Sequence, residues 1–360
     1  MWRPYAITFS IAFAISFVLS PLSARLGLRL GIADKPGGRR QHARTVSRLG
    51  GIALYSSFML AVIVAQFLDV PRQDANELRR LAGLLAGTTV VFILGLLDDR
   101  YELKARPQYL GQAVAAAVGM AGLIFIEFVN NPFSQAPDAR LVFPWWLTIV
   151  LTFIWMMGMM QTVNWLDGLD GLAAGVVAIA GLVLFANAAF RLQPPQTSVA
   201  LLPLALAGAC LGFLPFNFHP ARLFMGGGAY TLGFALGALA IIGGAKMATV
   251  LLVLGLPILD VAFILVRRWR RGRPLDVGDR DHLHFRLHDL GLSQRTIVLG
   301  YYAFCGAFGL LALAISPRLY KLVALLVMAL LALSFLFLTG RWRSRQTEDR
   351  PLPPAPPRRE

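Results

Sequence analysis

Two long uncharged segments flank a short acidic one near the middle of this chain. Residues 141–163 contain no charged side chain, and neither do residues 171–190. A helix of about 20 apolar residues crosses the hydrocarbon core of a bilayer. The two segments therefore predict a pair of transmembrane helices, with residues 164–170 as the connection between them.

The whole chain has the composition of a membrane protein. Of its 360 residues 57% are hydrophobic and 15% are charged, whereas about a quarter of the residues in a soluble protein are charged. We predict an all-α polytopic integral membrane protein with about eleven transmembrane helices, the first retained rather than cleaved as a signal. The predicted spans are residues 4–24, 50–68, 81–97, 109–129, 142–163, 171–190, 197–215, 229–244, 247–266, 296–315 and 322–340.

The net charge of +15 is distributed unevenly over the loops. With the N-terminus outside, 25 of the 34 Lys and Arg residues fall on one side of the membrane. The positive-inside rule places that side and the C-terminus in the cytoplasm, where basic residues suit anionic lipid headgroups rather than nucleic acid. We predict a membrane-embedded domain over residues 1–340 and a disordered, basic, proline-rich cytoplasmic tail over residues 341–360.

The acidic connection has the sequence N-W-L-D-G-L-D-G, which starts at Asn164 and contains Asp167 and Asp170. Carboxylates at a membrane boundary cost free energy unless they face water, a metal or a cationic partner. A polar turn between two spans is the alternative interpretation. Because a turn needs neither two carboxylates in fixed register nor the surrounding glycines, we interpret this segment as a functional site.

Two more unusual segments are predicted on the same side. The third span ends in Asp98 and Asp99, whose charges repel each other unless a cation or a shared proton relieves them; a solvated helix end is the alternative. Three successive glycines, residues 226–228, precede a helix. They free the backbone amides to approach a phosphate, although a flexible turn into a packed helix would use them equally well.

The last large loop concentrates three of the five histidines of the chain within seven residues. His282, His284 and His288 alternate with Arg286 in a spacing that fits no tetrahedral zinc site. Imidazole and guanidinium groups are suited to donate hydrogen bonds to a phosphate. The alternative is a basic loop that holds lipid headgroups, and we favour the functional interpretation for the histidines.

The first cytoplasmic loop adds Arg40 and His42, ahead of the glycines at positions 50 and 51. Together, the loops supply carboxylates, phosphate donors and glycine turns at one membrane face. This inventory suits a metal-assisted transfer between a nucleotide pyrophosphate and a membrane lipid phosphate.

In this order, the motifs resemble those of the polyprenyl-phosphate N-acetylhexosamine-1-phosphate transferase family. The resemblance covers about residues 30 to 300 and favours the branch of the undecaprenyl-phosphate GlcNAc-1-phosphate transferases over the related phospho-MurNAc-pentapeptide translocases, which carry a triple histidine in the last loop. The matching positions are Asp34 with Arg39, Arg40 and His42; Asp98-Asp99; Asn164 to Gly171; Asn217 to Gly226; Asp260 after Pro257; and His282, His284 and Arg286.

The resemblance implies transfer of N-acetylhexosamine-1-phosphate from a UDP-sugar to polyprenyl phosphate, with Mg²⁺ and release of UMP, in a bacterial plasma membrane. It implies UDP-N-acetylhexosamine, undecaprenyl phosphate and membrane lipids as partners, no nucleic acid, and is compatible with a homodimer. The implied roles are catalysis by Asp98, Asp99 and Asp170, with Asp98 orienting or deprotonating the lipid phosphate; metal binding near Asn164; and contact with the uridine and sugar by Asp167 and Asp170. His282, His284 and Arg286 would hold the phosphates, and Arg40 and His42 would bind substrate.

Three positions depart from the family pattern. The family has a magnesium-binding aspartate after Met225-Gly226, where this chain continues with Gly227 and is one residue shorter. Gln161 and Phe285 stand where asparagine and histidine are common. The first departure leaves open a catalytically impaired relative that only binds nucleotide sugar or lipid phosphate. A transporter is a weaker alternative, because Lys246 and Asp260 are too few to line a pathway.

Overall fold

The computed structural model describes residues 2–35, 45–134, 136, 139–192, 194–243, 247–270, 272 and 281–348, with side chains up to Gly340. Two predicted site residues, Arg40 and His42, lie outside the described residues, as does Lys246.

The described residues form an all-α fold with two short β-hairpins, which confirms the predicted fold class. The helices are α1 (Trp2–Leu30), α2 (Gly50–Ala65), α3 (Glu77–Tyr101), α4 (Ala105–Ala121), α5 (Trp145–Leu166), α6 (Leu172–Ala186), α7 (Thr197–Asn217), α8 (Gly228–Ile242), α9 (Met247–Val253), α10 (Gly255–Arg270), α11 (Leu283–Asp289), α12 (Gln294–Ala314) and α13 (Arg318–Glu348). A π-helical turn, Asn187–Arg191, extends α6. Antiparallel pairs join β1 (Ala33–Asp34) to β2 (Val46–Ser47) and β3 (Phe128–Asn130) to β4 (Arg140–Val142).

Fewer helices than predicted are both long enough and apolar enough to span a membrane. Among the described residues seven helices are long and apolar enough to cross a membrane, or eight if α9 and α10 form one span. The count of eleven is therefore not confirmed, because α2, α4 and α8 have only 16, 17 and 15 residues. The predicted span at 247–266 consists of two helices, since the chain bends by 80° between α9 and α10.

Helix α8 lies at the centre of the fold, and every one of its residues is buried. Close approach at glycine makes this packing possible: a Cβ atom at Gly233 would lie 2.6 Å from Met160 Cα of α5. The peripheral helix α13 instead exposes apolar side chains such as Leu326 (62%) and Leu330 (67%). Such a surface is stable against lipid, so the fold agrees with a multi-pass membrane protein.

The C-terminal tail starts in a helix. Helix α13 continues to Glu348, eight residues beyond the predicted end of the membrane domain at residue 340. Residues 349–360 lie outside the described residues, and for them disorder stays a prediction.

Candidate active site

The frame of the site is a backbone pairing between two segments that are far apart in sequence. The Phe224 N–H donates to Ser47 O (2.8 Å), and the Gly50 and Gly51 N–H groups donate to Phe224 O and Met225 O (both 3.0 Å). A Cβ atom at Gly50 would lie 2.4 Å from Phe224 O. Glycine is therefore required where α2 begins, and this pairing fixes the first loop against the segment that precedes α8.

Asp99 connects the last turn of α3 to the same segment. It is 6% exposed, and the Gly227 N–H lies 3.1 and 3.0 Å from its two carboxylate oxygens. The Arg48 Nε atom lies 3.6 Å from Asp99 Oδ1. These partners satisfy a carboxylate that would otherwise be costly to bury.

The contact between α3 and this segment leaves no room for a side chain at position 227. A Cβ atom there would lie 2.2 Å from Gly95 Cα of α3. Real Cβ atoms do not approach a backbone atom so closely, because the overlap is repulsive. The absence of the family aspartate is therefore part of the helix packing in this chain.

Among the described residues, both carboxylate oxygens of Asp99 accept hydrogen bonds, whereas only one oxygen of Asp98 does. Its Oδ1 accepts hydrogen bonds from the Leu103 N–H (3.0 Å) and from Gln108 Nε2 (2.7 Å), and the Tyr230 hydroxyl in turn donates to Gln108 Oε1 (3.3 Å). No described residue donates to Asp98 Oδ2, and the side chain is half-buried. The described residues thus orient one oxygen of Asp98 and provide no donor to the other.

Asp170 is held by the loop between α7 and α8. His219 Nδ1 lies 2.9 Å from Asp170 Oδ2, and the Ala221 N–H donates to the same oxygen at 3.1 Å. Beside it, the Asn217 amide accepts from the Gly171 N–H (3.1 Å) and donates to Leu223 O (3.0 Å). Gly171 has φ +83°, which favours glycine.

His219 was not among the predicted site residues. Its only signal in the sequence was a polar residue beside a proline in a short loop, and that pattern is common in turns.

Asn164 and Asp167 lie one helical turn apart at the end of α5, so their side chains are neighbours on one face. No described residue donates a hydrogen bond to the Asp167 carboxylate. Burial raises the pKa of Asp167 well above its usual value, and the charges of Asp170 and Asp99 raise it further, while Arg48 lowers it. The three carboxylates and Arg48 therefore share one electrostatic environment.

Asp260 of α10 organises the histidine loop. His282 Nδ1 lies 2.9 Å from Asp260 Oδ2, the Leu283 N–H donates to Oδ1 at 3.0 Å, and Arg286 Nη2 lies 3.6 Å from Oδ1. The rings of His282 and His284 are stacked with centroids 5.5 Å apart and planes 8° apart. The position of helix α11 is thus fixed through a single carboxylate.

His284 brings this loop against the N-x-x-D-G-x-D-G segment. A Cβ atom at Gly168 would lie 2.4 Å from His284 Nε2, and that nitrogen is buried without a hydrogen-bond partner. Burial lowers the pKa of His284 well below its usual value, and the charges of His282 and Arg286 lower it further. Burial and these neighbouring charges therefore favour the uncharged imidazole of His284 beside the acidic connection.

Arg286 is held between Asp260 of α10 and the backbone of α13. It is 1% exposed, and its guanidinium donates to Asp281 O (2.6 Å) and Leu336 O (3.0 Å) besides its ion pair with Asp260. Burial lowers its pKa and Asp260 opposes this. Contacts with α13 and the loop leave Arg286 Nη2 buried without a hydrogen-bond partner. These contacts give Arg286 a positioning role, and its role as a phosphate ligand stays a prediction.

The described residues contain no group of three or more His, Cys, Asp or Glu side chains arranged to hold a metal ion. Mg²⁺ is commonly bound by one or two carboxylates together with substrate phosphates and water. Asp167, which lacks a hydrogen-bond donor and lies near Asp170 and Asp99, fits such a partial ligand set, with the Asn164 amide as an oxygen neighbour.

The contact at Gly168 gives a direct test of the predicted convergence. We expect Gly168→Ala to abolish activity of the site, because the new methyl group overlaps His284 Nε2 and lies 2.9 Å from Phe285 Cζ. The His284 ring is fully buried against His282 and cannot move aside. Gly158→Ala in α5, where nothing lies within 4 Å of the new atom, is the matched control. Equal activity of both variants and the wild type would contradict the contact.

Comparison with known proteins places this arrangement in a family. The model of glycosyl transferase family 4 matches residues 81–244, from α3 to the end of α8. A Bacillus subtilis protein named a probable undecaprenyl-phosphate N-acetylglucosaminyl 1-phosphate transferase is 31% identical over 290 residues, which cover 79% of this chain and 77% of the relative. The chain belongs to glycosyl transferase family 4. The resemblance predicted from the motifs is thereby confirmed.

Other relatives of this family 4 protein carry related names. A decaprenyl-phosphate N-acetylglucosaminephosphotransferase of Mycobacterium tuberculosis strain H37Rv is 32% identical over 303 residues, 76% of this chain and 74% of the relative. A phospho-N-acetylmuramoyl-pentapeptide-transferase of Desulforudis audaxviator is 31% identical over 297 residues, 74% of this chain and 83% of the relative. All three names describe transfer of a sugar phosphate, in agreement with an enzyme of this class.

Proposed function

We propose that this protein transfers GlcNAc-1-phosphate from UDP-GlcNAc to undecaprenyl phosphate and releases UMP, in a bacterial plasma membrane with the site on the cytoplasmic face. An oxygen of the lipid phosphate attacks the phosphorus that carries the sugar. The bond from that phosphorus to the bridging oxygen breaks, and UMP leaves with this oxygen. The names of the relatives support the sugar and the lipid class.

The observation that carries the proposal is the convergence of four motif regions in one place. Gly168 lies against His284, Asp170 against His219, and Asp99 against Gly227. Little covalent chemistry is required of the protein in phosphoryl transfer, so positioning and charge neutralisation supply most of the acceleration.

Asp98 is the residue best placed to act on the lipid phosphate. A phosphate monoester has a second pKa of about 6, so it carries a proton part of the time at neutral pH. The free Oδ2 of Asp98 accepts that proton or holds the phosphate oxygen in line, while Gln108 and Leu103 keep the carboxylate oriented. Asp170, held by His219, orients the uridine and sugar together with Asp167.

Asn164 and Asp167 would hold Mg²⁺ together with the phosphates of the substrate, in place of the aspartate that Gly227 excludes. When bound, the ion would neutralise charge on the pyrophosphate. His282 and His284 would donate to phosphate oxygens at the edge of the same site.

One transfer assay distinguishes the proposed function from two other functions. The closed position at Gly227 favours a non-catalytic relative, and the Desulforudis relative suggests UDP-MurNAc-pentapeptide as the donor. Purified protein would be incubated with undecaprenyl phosphate, either UDP-sugar and increasing Mg²⁺, and UMP would be measured. We expect Mg²⁺-dependent UMP release with UDP-GlcNAc. Binding of UDP-GlcNAc without turnover, or turnover with the pentapeptide donor alone, would overturn the proposal.

A further inference from the structure

A cavity lined by polar and apolar residues lies at the end of α3 opposite Asp98 and Asp99. The 25 residues of α3 separate the two ends by about 36 Å at 1.5 Å per residue, close to the thickness of a bilayer core. The cavity has a volume of about 210 Å³ and is formed by the start of α3, the β3 region, the start of α7 and the end of α8. It is far larger than the space of about 30 Å³ that one water molecule occupies.

Glu77 is the unusual residue of this cavity. It is 9% exposed, its Oε1 lies 3.9 Å from Arg72 Nε, and its Oε2 is buried with no hydrogen-bond partner. The position of Glu77 in the first turn of α3 explains a preference for an acidic residue there. It does not explain a buried carboxylate oxygen that faces a cavity without a donor, which is costly.

The charges around the cavity favour a cationic ligand. Its titratable lining residues are Asp74, Glu77, Arg80 and Glu127. Arg80 is paired with Asp74 and also donates to Leu123 O at 3.3 Å, so this pair is neutral. Glu77, weakly paired with Arg72, and the exposed Glu127 remain.

The hydrogen-bonding groups and apolar side chains that line the cavity indicate which class of ligand it can bind. Ser198 Oγ, in the lining, is buried without a hydrogen-bond partner, and Phe125 and Phe128 form part of the wall. Exposed aromatic residues beside it, such as Trp145 at 61%, are typical of the level of lipid headgroups. Because no three ligating side chains in the described part of the chain are arranged for a metal, an organic cation with N–H donors fits better.

We propose that this cavity binds a primary ammonium group, with Glu77 Oε2 and Ser198 Oγ as acceptors of its hydrogen bonds. An aminophospholipid headgroup and a free small amine both carry this chemistry. The site is independent of the proposed transfer reaction, which takes place at the other end of α3.

Native mass spectrometry of the purified full chain in detergent tests the proposal. The probes are phosphatidylethanolamine and phosphatidylcholine with the same acyl chains, since only the first has N–H donors. We expect about a tenfold preference for phosphatidylethanolamine, equivalent to about 1.4 kcal/mol. Competition by free ethanolamine would identify the ammonium group alone as the ligand, and lack of competition would identify the lipid.

Three variants make the result specific. The preference should disappear in Glu77→Gln, weaken in Ser198→Ala and persist in Asp69→Asn, which removes an exposed carboxylate outside the cavity lining. Equal binding of both lipids, or an unchanged preference in Glu77→Gln, would overturn the proposal. Lys246 precedes Met247 of the lining, so a preference seen only in Lys246→Met would mean that Lys246 supplies the ammonium and would also overturn it.

Discussion

Asp98→Asn is expected to lower the rate of UMP release by about two to four orders of magnitude, the usual contribution of a positioned acid or base. Asparagine keeps the shape of the side chain and can still accept from Leu103 N–H and Gln108 at Oδ1. It replaces the free Oδ2, which would bind the lipid phosphate, with a group that cannot take a proton. The measurement is UMP release with saturating UDP-GlcNAc and undecaprenyl phosphate.

The control for this variant is Glu102→Gln, which neutralises a carboxylate at the same end of α3 whose side chain is 75% exposed. We expect it to leave turnover within about twofold of the wild type, because exposed ion pairs contribute little. If Asp98→Asn and Glu102→Gln had equal rates, the role assigned to Asp98 would be wrong.

Asp260→Ala is expected to have the second largest effect, on stability as well as on activity. The variant leaves the guanidinium of Arg286 buried without its counter-charge and removes the partners of His282 and of the Leu283 N–H. Removing one partner of a buried ion pair costs about 3–5 kcal/mol. The unfolding temperature of the detergent-solubilised protein should therefore fall strongly. Transfer activity should also be lost, because α11 is no longer held in place.

Asp281→Ala provides the matched comparison for Asp260. Its carboxylate lies 3.7 Å from Arg267 Nη1 and is partly exposed, and the backbone oxygen that Arg286 uses is retained. A cost below about 1 kcal/mol is expected for such a pair. Similar destabilisation of both variants would show that Asp260 does not organise the histidine loop.

Much of the helical architecture could be predicted because apolar segments in a bilayer have few alternatives. Every predicted span overlaps a helix or, at 247–266, a bent pair of helices, although α4 ends at residue 121, before the predicted end at residue 129. The 80° bend between α9 and α10 escaped prediction, because hydropathy averaged over about 20 residues does not report the direction of the backbone.

The candidate site was predictable as a set of residues, less so as a set of contacts. The motif residues Asp98, Asp167 and Asp170 were identified from unusual polarity beside apolar segments. The pairing of Asp170 with His219, 49 residues away, and the burial of Arg286 against α13 depend on how distant segments meet in space. Neither leaves a periodic pattern in the sequence, and the predicted roles of Asn164, Asp167 and the histidines stay predictions.

The contact between Gly95 and Gly227 restricts which residues position 227 can accept. An aspartate would fit at position 227 only if α3 moved away from the entrance to α8, since the added Cβ would overlap Gly95. Such a displacement would also break the bond from the Gly227 amide to Asp99. Position 227 is therefore coupled to the spacing between α3 and α8, and a side chain there would require a compensating change in α3.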